Sequence, residues 1–286
     1  MSEHAKSLLA GLIGYGIQGS LTPSMHEQEG AAQGRRYVYR KIDLQPLGLD
    51  AAALPELLTA AERMGFDGLN ITFPCKQAVI PLLHELSEDA AALGAVNTVV
   101  LRGGRRIGHN TDASGFAEGF RRGLPGAPLN RVVQVGAGGA GSAVAQAAVK
   151  LGVGELTVID TDPARAAQVA ADVVARFGAG RAKAGSDVAA ALAEADGLIN
   201  TTPVGMAKFP GMPVPAGLLR PELWVAEIVY FPLETELLRT ARALGCRTLD
   251  GGGMAVFQAV DAFRLITGVP PDAERMLAHF KSMIAG

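Results

Sequence analysis

Residues 131–160, RVVQVGAGGAGSAVAQAAVKLGVGELTVID, restrict the fold more than any other part of the chain. The apolar strand pattern RVVQV runs straight into Gly136. The loop Gly136, Ala137, Gly138, Gly139, Ala140, Gly141 reads G-x-G-x-x-G, an alanine-rich helical pattern follows, and a second strand pattern, ELTVID, ends on Asp160. Strand, glycine loop, helix and a terminal acid about twenty residues further on make up a dinucleotide-binding βαβ unit. Its first glycine forms the tight turn, the second lets backbone approach a pyrophosphate, and the third lets the helix pack closely on the strand. Such units build doubly wound α/β domains.

A second G-x-G-x-x-G, GYGIQG from Gly14 to Gly19, follows another strand pattern, with Asp43 closing the next one. In a chain with 36 glycines a lone match is weak. Tyr15, Ile17 and Gln18 crowd its spaces, and Pro23 reads as a first helical residue with Thr22 as N-cap, so the helix starts only after the loop is finished. This loop is therefore not expected to hold pyrophosphate. Ser20 and Thr22 instead place two hydroxyls at the C-terminal end of a parallel strand, where such sheets bind ligands.

The rest of the chain keeps an α/β rhythm. Residues 7–14 and 35–43 read as strands, 54–64 as a helix, 66–72 as a strand, and 76–94 as helical material interrupted at Pro81. VNTVVLRGGRRIGHN reads as a hairpin across its Gly-Gly pair, Asp112 introduces the helical ASGFAEGFRR, and LPGAPLN marks a boundary. Beyond ELTVID come the helix PARAAQVAADVVARFG, an Ala-rich helix, and the strands GLIN and LWVAEIVY. With 286 residues, 49% of them hydrophobic, two domains are expected.

Charge forces no partner class. A net charge of -2 without a basic tract argues against nucleic acid, and the pairs Arg35, Arg36 and Arg121, Arg122 read as solvated faces. Cys75 and Cys246 lie outside any C-x-x-C or Cys/His cluster, which fits a reduced cytoplasmic protein without structural zinc, although sequence leaves a disulfide between them open. His26, His84 and His109 show no metal-ligand spacing and read as surface or capping residues. SLLAGLIG, preceded by Glu3 and His4, is too short to span a membrane and reads as a buried first strand.

The ordered segments GYGIQGSLTPSMHE, DGLNITFPCK, GAVNTVV, GHNTDASGF, GAGGAG, NTTPVGM, IVYFPLETELL and GGGMAVFQAVDAF together resemble the shikimate dehydrogenase family over nearly the whole chain. The resemblance implies an α/β substrate domain, 1–112 completed by C-terminal helices 252–286, a Rossmann-like nucleotide-binding domain, 113–251, and an active site in the cleft between them. It implies Lys76 and Asp112 as the catalytic pair, Ser20 and Thr22 on the substrate carboxylate, and Thr72, Asn97, Tyr230 and Gln258 as further substrate contacts. For the cofactor it implies Gly136 to Gly141, Asp160, Arg165, Thr202, Val204, Met206, Gly251 and Met254. Two departures, Thr22 in Ser-x-Thr-Pro and Asp160, Thr161, Asp162 in place of Asn-Arg-Thr, resemble the NAD-dependent quinate/shikimate dehydrogenase branch. The expected partner is then a hydroxylated ring acid, quinate or shikimate, and the expected assembly a monomer or homodimer.

Oxidising a ring alcohol requires a positioned base to take the hydroxyl proton as hydride leaves carbon. Lys76, just after Pro74, is expected in a first helical turn, where the dipole and desolvation favour the neutral amine, and Asp112 would orient it and relay the proton. Several of these residues also have a structural reading. Lys76 reads as an exposed lysine, Asp112 as an N-cap, Ser20 and Thr22 as turn residues, Asn97 as the start of a strand, Gln258 as a helical amide, and Tyr230 as a core aromatic. The motif matches favour function. The Asp160 carboxylate suits both ribose hydroxyls of NAD and repels the 2′-phosphate of NADP, against the reading as a loop acid. Two rivals stay open: an NADPH-dependent biosynthetic enzyme, and a non-catalytic sensor of the same fold, which would be marked by loss of Lys76 or Asp112.

Overall fold

In the computed structural model, which describes residues 7–285, the first apolar run becomes β1 (Leu8–Gly14). Glu3 and His4 lie outside the described residues. Cα proximity divides the chain into two units, Met1–Thr111 with Gln258–Gly286, and Asp112–Phe257.

In the first unit β1 is joined by β2 (Tyr37–Asp43), β3 (Gly68–Ile71), β4 (Glu85–Leu86), β5 (Thr98–Arg102) and β6 (Arg105–His109), in the order β2-β1-β3-β5-β6-β4. β1 runs parallel to β2, from Leu8 opposite Tyr37 to Gly14 opposite Asp43, and parallel to β3. β5 is antiparallel to β3 and forms an antiparallel hairpin with β6, whose turn glycines, Gly103 and Gly104, both take positive φ, as a tight two-residue turn requires. Side-chain alternation along β1 feeds two cores. Ile13 packs with Leu54, Leu58, Leu69 and Val99, while Leu8, Ala10 and Leu12 pack with Tyr37, Tyr39, Phe263 and Ile266. Phe263 and Ile266 come from the helix Gly252–Thr267, which lies so close to β3 that a Cβ on Gly68 would stand 2.6 Å from Ile266.

The second unit is a parallel sheet of β7 (Arg131–Val135), β8 (Glu155–Ile159), β9 (Ala182–Ala184), β10 (Gly197–Asn200), β11 (Trp224–Glu227) and β12 (Arg247–Leu249), ordered β12-β11-β10-β7-β8-β9. Counted within the unit this is the doubly wound Rossmann order, which reverses direction between β7 and β10. Strands of that kind are apolar along their length because helices cover both faces, and Val133, Val135, Leu156, Val158, Leu198 and Val225 are all buried. Among the described residues no helix is long and apolar enough to cross a membrane, and both cysteines are buried and free.

Four expectations need correction. The first helix is Thr22–Ala32 with Leu21 at its N-cap, so Thr22 is itself helical and makes no capping bond; proline fits the first turn, which moves the start one residue earlier. Residues 76–94 break into the helix Cys75–Ala78, a 3₁₀ turn at Ile80–Leu82, the short β4 and the helix Glu88–Leu93, because Pro81 stops the first helix and Ser87 caps the last. β9, in sequence a short run between two helices, went unread. His26 is not a surface residue. It is fully buried among Tyr37, Tyr39 and Phe263, with Nδ1 3.0 Å from the Tyr37 hydroxyl, and burial pushes it down to about 3, so it stays neutral.

Candidate functional site

The two glycine loops differ in what occupies their amides. In GYGIQG, the Asp43 carboxylate accepts the N–H of Gly16 at 2.8 Å, the N–H of Ile17 at 3.1 Å and the Gln18 side-chain amide at 2.8 Å, and the Tyr15 N–H goes to the Phe73 carbonyl at 2.9 Å. Desolvation would raise the Asp43 carboxyl, but these donors and the Gln45 N–H hold it below the usual aspartate range. The loop is thus filled by its own anion, and a phosphate there would meet a committed set of donors and a negative charge.

GAGGAG is built differently. Gly136 has φ +99°, a conformation that favours glycine, and its carbonyl is fixed by the Thr201 hydroxyl at 2.7 Å and by the buried Gln134 side chain at 2.9 Å. Gln134 also donates to the Gly141 carbonyl at 2.9 Å, so one amide from β7 ties both ends of the loop. A Cβ on Gly141 would stand 2.6 Å from the Gly136 carbonyl, whereas one on Gly138 or Gly139 would meet nothing within 4 Å. The third glycine is therefore needed for packing, and the middle two leave open space in front of the N–H groups that start the helix Gly139–Lys150. First-turn amides lack intrahelical acceptors and favour an anion, so the loop fits a pyrophosphate.

Asp160 follows β8 directly. Its Oδ2 accepts the Ala137 N–H at 2.7 Å and its Oδ1 the Asp162 N–H at 2.8 Å. Desolvation opposes ionisation, but those two amides, the Thr161 hydroxyl and the Arg165 charge hold the carboxyl below its ordinary value. Arg165 is exposed and pairs with Asp162 at 3.2 Å. Thr202 Oγ1 donates to Asn200 Oδ1 at 2.7 Å and accepts the Val204 N–H at 3.1 Å. Met206 is exposed and Met254 is buried. Gly251 packs against backbone, since a Cβ there would be 2.5 Å from the Val229 carbonyl, one residue before the partly exposed Tyr230.

The first unit gathers the other set. Ser20 Oγ lies 3.4 Å from the Thr22 N–H, so the serine, rather than Thr22, faces the start of that helix. Thr72, just past β3, sits with its methyl where a side chain on Gly14 would clash, which brings the end of β1 against the NITFP segment. Lys76 is half-buried in the single-turn helix Cys75–Ala78, too short for more than a fraction of a macrodipole. Its carbonyl accepts the Val96 N–H at 2.9 Å, tying it beside Asn97. Buried Asn97 donates to the Thr111 hydroxyl at 3.0 Å and to Gln258 Oε1 at 3.4 Å, joining residues 161 positions apart, and its Oδ1 accepts the Thr111 N–H at 2.9 Å. In the second unit Asp112 is the first residue of the helix Asp112–Gly123 and only 2% exposed; it is helical itself and does not precede the helix as a cap.

Sequence reasoning missed Gln134, Asn200, Thr201 and Glu227. Asn200 and Thr201 stand at the NTTPVGM motif and their hydrogen-bonding side chains were a usable signal. Gln134 and Glu227 were visible only as polar residues inside apolar strand patterns.

The model of the shikimate dehydrogenase substrate binding domain matches residues 12–99, and that of the alanine dehydrogenase/PNT C-terminal domain matches residues 100–217. The shikimate dehydrogenase (NADP(+)) of Streptomyces avermitilis is 61% identical over 97% of this chain and 96% of its own. The quinate/shikimate dehydrogenase (NAD(+)) of Corynebacterium efficiens is 56% identical over 97% of this chain and 99% of its own. Among solved structures, quinate dehydrogenase from Corynebacterium glutamicum in complex with NAD superposes with a TM-score of 0.91 at 52% identity, covering 96% of this chain and 99% of that one.

Proposed function

Because the chain belongs to the shikimate dehydrogenase family, we propose that it reversibly oxidises a ring hydroxyl of quinate or shikimate to the 3-dehydro ketone, with NAD as hydride acceptor. The observation that carries the nucleotide choice is Asp160, a carboxylate kept ionised beside the open glycines of GAGGAG. The loop amides hold the pyrophosphate and Asp160 the ribose hydroxyls. Thr202, Val204, Met206, Gly251 and Met254 line the nicotinamide side. A bound nicotinamide supplies the hydride acceptor. Lys76 takes the proton of the reacting hydroxyl and Asp112 orients and relays it. Ser20 and Thr22 hold the ring carboxylate, while Thr72, Asn97, Tyr230 and Gln258 contact its hydroxyls and carboxylate. Two buried free thiols fit a reduced, cytoplasmic setting.

A second reading, NADPH-dependent reduction of 3-dehydroshikimate, is favoured by Arg165. This exposed guanidinium beside Asp160 forms a surface ion pair with Asp162 and suits bidentate pairing with a 2′-phosphate. Comparing kcat/KM for NAD and NADP with both ring acids separates the two.

The loop assignment has two direct tests. Replacing Ser20 and Thr22 together by alanine raises ring-acid KM about 10- to 100-fold, since hydrogen bonds to a charged group contribute roughly 1.5–3 kcal/mol each and part is recovered by water. NAD affinity, measured by NADH fluorescence, stays within a few-fold. If NAD affinity collapses instead, the roles of the two loops are reversed.

Gly138→Val, whose added atoms face open space, leaves the melting temperature near wild type and weakens nucleotide binding at least about tenfold. Gly141→Ala, with a Cβ 2.6 Å from the Gly136 carbonyl, destabilises the fold by about 1–3 kcal/mol in chemical denaturation. Equal stability of the two variants contradicts the loop geometry described above.

A further inference from the structure

Beneath the NTTPVGM loop lies a carboxylate for which hydride transfer has no direct use. Glu227, the last residue of β11, is 1% exposed. Both of its oxygens lie 2.9 Å from Asn200 Nδ2; one also accepts the Val229 N–H at 3.0 Å, the other the Thr235 hydroxyl at 3.2 Å. From Asn200 the bonds continue into the loop. Its Oδ1 accepts the Thr202 N–H at 3.0 Å and hydroxyl at 2.7 Å, and its Nδ2 reaches the Val204 carbonyl at 3.0 Å. Gly205, with φ +109°, passes over the carboxylate closely enough that a Cβ would stand 3.6 Å from Oε2. On the far side Thr235 caps the helix Glu236–Ala243 through the Leu238 N–H.

A buried carboxylate compensated only by neutral donors is costly, and a chain that keeps one gains by the geometry it enforces. We infer that Glu227 is a positioning residue, which fixes the loop of residues 202–206 through Asn200 and the turn carrying Tyr230 through Val229. The inference rests on the reading that assigns Thr202, Val204 and Met206 to the nucleotide. Glu227 touches β10 through Asn200, the loop after β11 through Val229 and the cap of the following helix through Thr235.

The arrangement uses both oxygens purely as acceptors. Protonation converts one acceptor position into a donor, so the Asn200 N–H shared between the two oxygens keeps only one acceptor and the loop loosens. Burial pushes the Glu227 carboxyl up to about 7, against the hydrogen bonds from Asn200, Val229, Thr235 and Ile228. The groups that meet it from β10, the loop and the following helix, Asn200, Gly205 and Thr235, are neutral. Glu234 and Glu236, which flank Thr235, are exposed, and Glu234 pairs with Arg242. The loop is therefore held at pH well above 7 and progressively released as the pH falls through about 7.

The experiment measures NADH affinity by fluorescence from about pH 5.5 to 8.5 for wild type, E227Q and T235V, with thermal denaturation of each. The glutamine of E227Q imitates the protonated acid in shape. Wild type is expected to bind NADH severalfold more tightly above pH 7 than below it. E227Q is expected to bind about tenfold more weakly than wild type at pH 8 and to show no step near pH 7, the loss of a charge-assisted bond. T235V, which removes the helix cap and one neutral donor to Glu227 but leaves the bonds from Asn200 and Val229 in place, is expected to melt lower with NADH affinity within about twofold of wild type. Wild-type affinity in E227Q, a retained step near pH 7, or an equal loss in T235V overturns the assignment while leaving the functional reading intact. A wild-type protein that binds neither NADH nor NADPH overturns both. Should E227Q not fold, a flat wild-type profile overturns the assignment and a step near pH 7 supports it.

Discussion

Lys76→Ala loses roughly 10²- to 10⁴-fold in kcat while the ring-acid KM changes by less than about threefold, because a proton-transfer group acts chiefly in the transition state. The Lys76 carbonyl accepts the Val96 N–H, and the single turn Cys75–Ala78 is anchored by the buried Cys75. Alanine preserves both. Steady-state NADH absorbance gives kcat and KM together, and circular dichroism verifies that the variant is folded. Turnover near that of wild type removes Lys76 from the mechanism and leaves Asp112, buried at the start of its helix, as the group to test next.

Asp160→Ala narrows the preference for NAD over NADP by roughly thirtyfold. At about 5 Å and an effective dielectric near 20, a carboxylate opposes each phosphate charge by about 3 kcal/mol; partial exposure screens this to on the order of 2 kcal/mol. The gap closes from both sides, because the repulsion on the 2′-phosphate is relieved and the ribose hydroxyls of NAD lose their acceptor. The Ala137 N–H, which Asp160 holds at 2.7 Å, is left without its partner, so the glycine loop slackens and both nucleotides bind more weakly. Adding Asp162→Ala frees Arg165 from its ion pair and raises NADP activity above that of the single variant, since a guanidinium pairs bidentately with phosphate. The readout is kcat/KM for each nucleotide at saturating ring acid. An unchanged ratio in Asp160→Ala shows that the carboxylate faces away from the ribose.

The second unit was the more legible of the two in sequence. RVVQV, ELTVI and GLIN are strands as written, the helix after GAGGAG starts within the loop, and Asp160 stands where β8 ends, because buried parallel strands and glycine turns impose local patterns strong enough to read one by one. In the first unit, local reading failed where partners come from far along the chain. His26 lies on a helix of polar composition, and nothing near it announces that Tyr37, Tyr39 and the distant Phe263 close around it. The exclusion of GYGIQG followed from Pro23, yet the lock itself, Asp43 on the loop amides, shows only once β1 and β2 are paired in register.

The site divides in the same way. Residue types were legible through motifs, but the bonds that hold them, Asn97 to Gln258 and Asn200 to Glu227, link strands and helices that sequence spacing does not relate. Buried amides and acids inside apolar runs, such as Gln134 and Glu227, are the signal that such bonds exist, since a polar group in a parallel strand must find partners.

The central claim, an NAD-dependent oxidation of a hydroxylated ring acid, is tested most directly by a crossed assay of the wild-type protein, quinate and shikimate each with NAD and with NADP, followed by absorbance of the reduced nucleotide. The expected result is turnover with at least one of the two acids and a kcat/KM for NAD at least about thirtyfold above that for NADP. Equal or greater efficiency with NADP would contradict the role given to Asp160, and no turnover of either acid with either nucleotide would contradict the account as a whole.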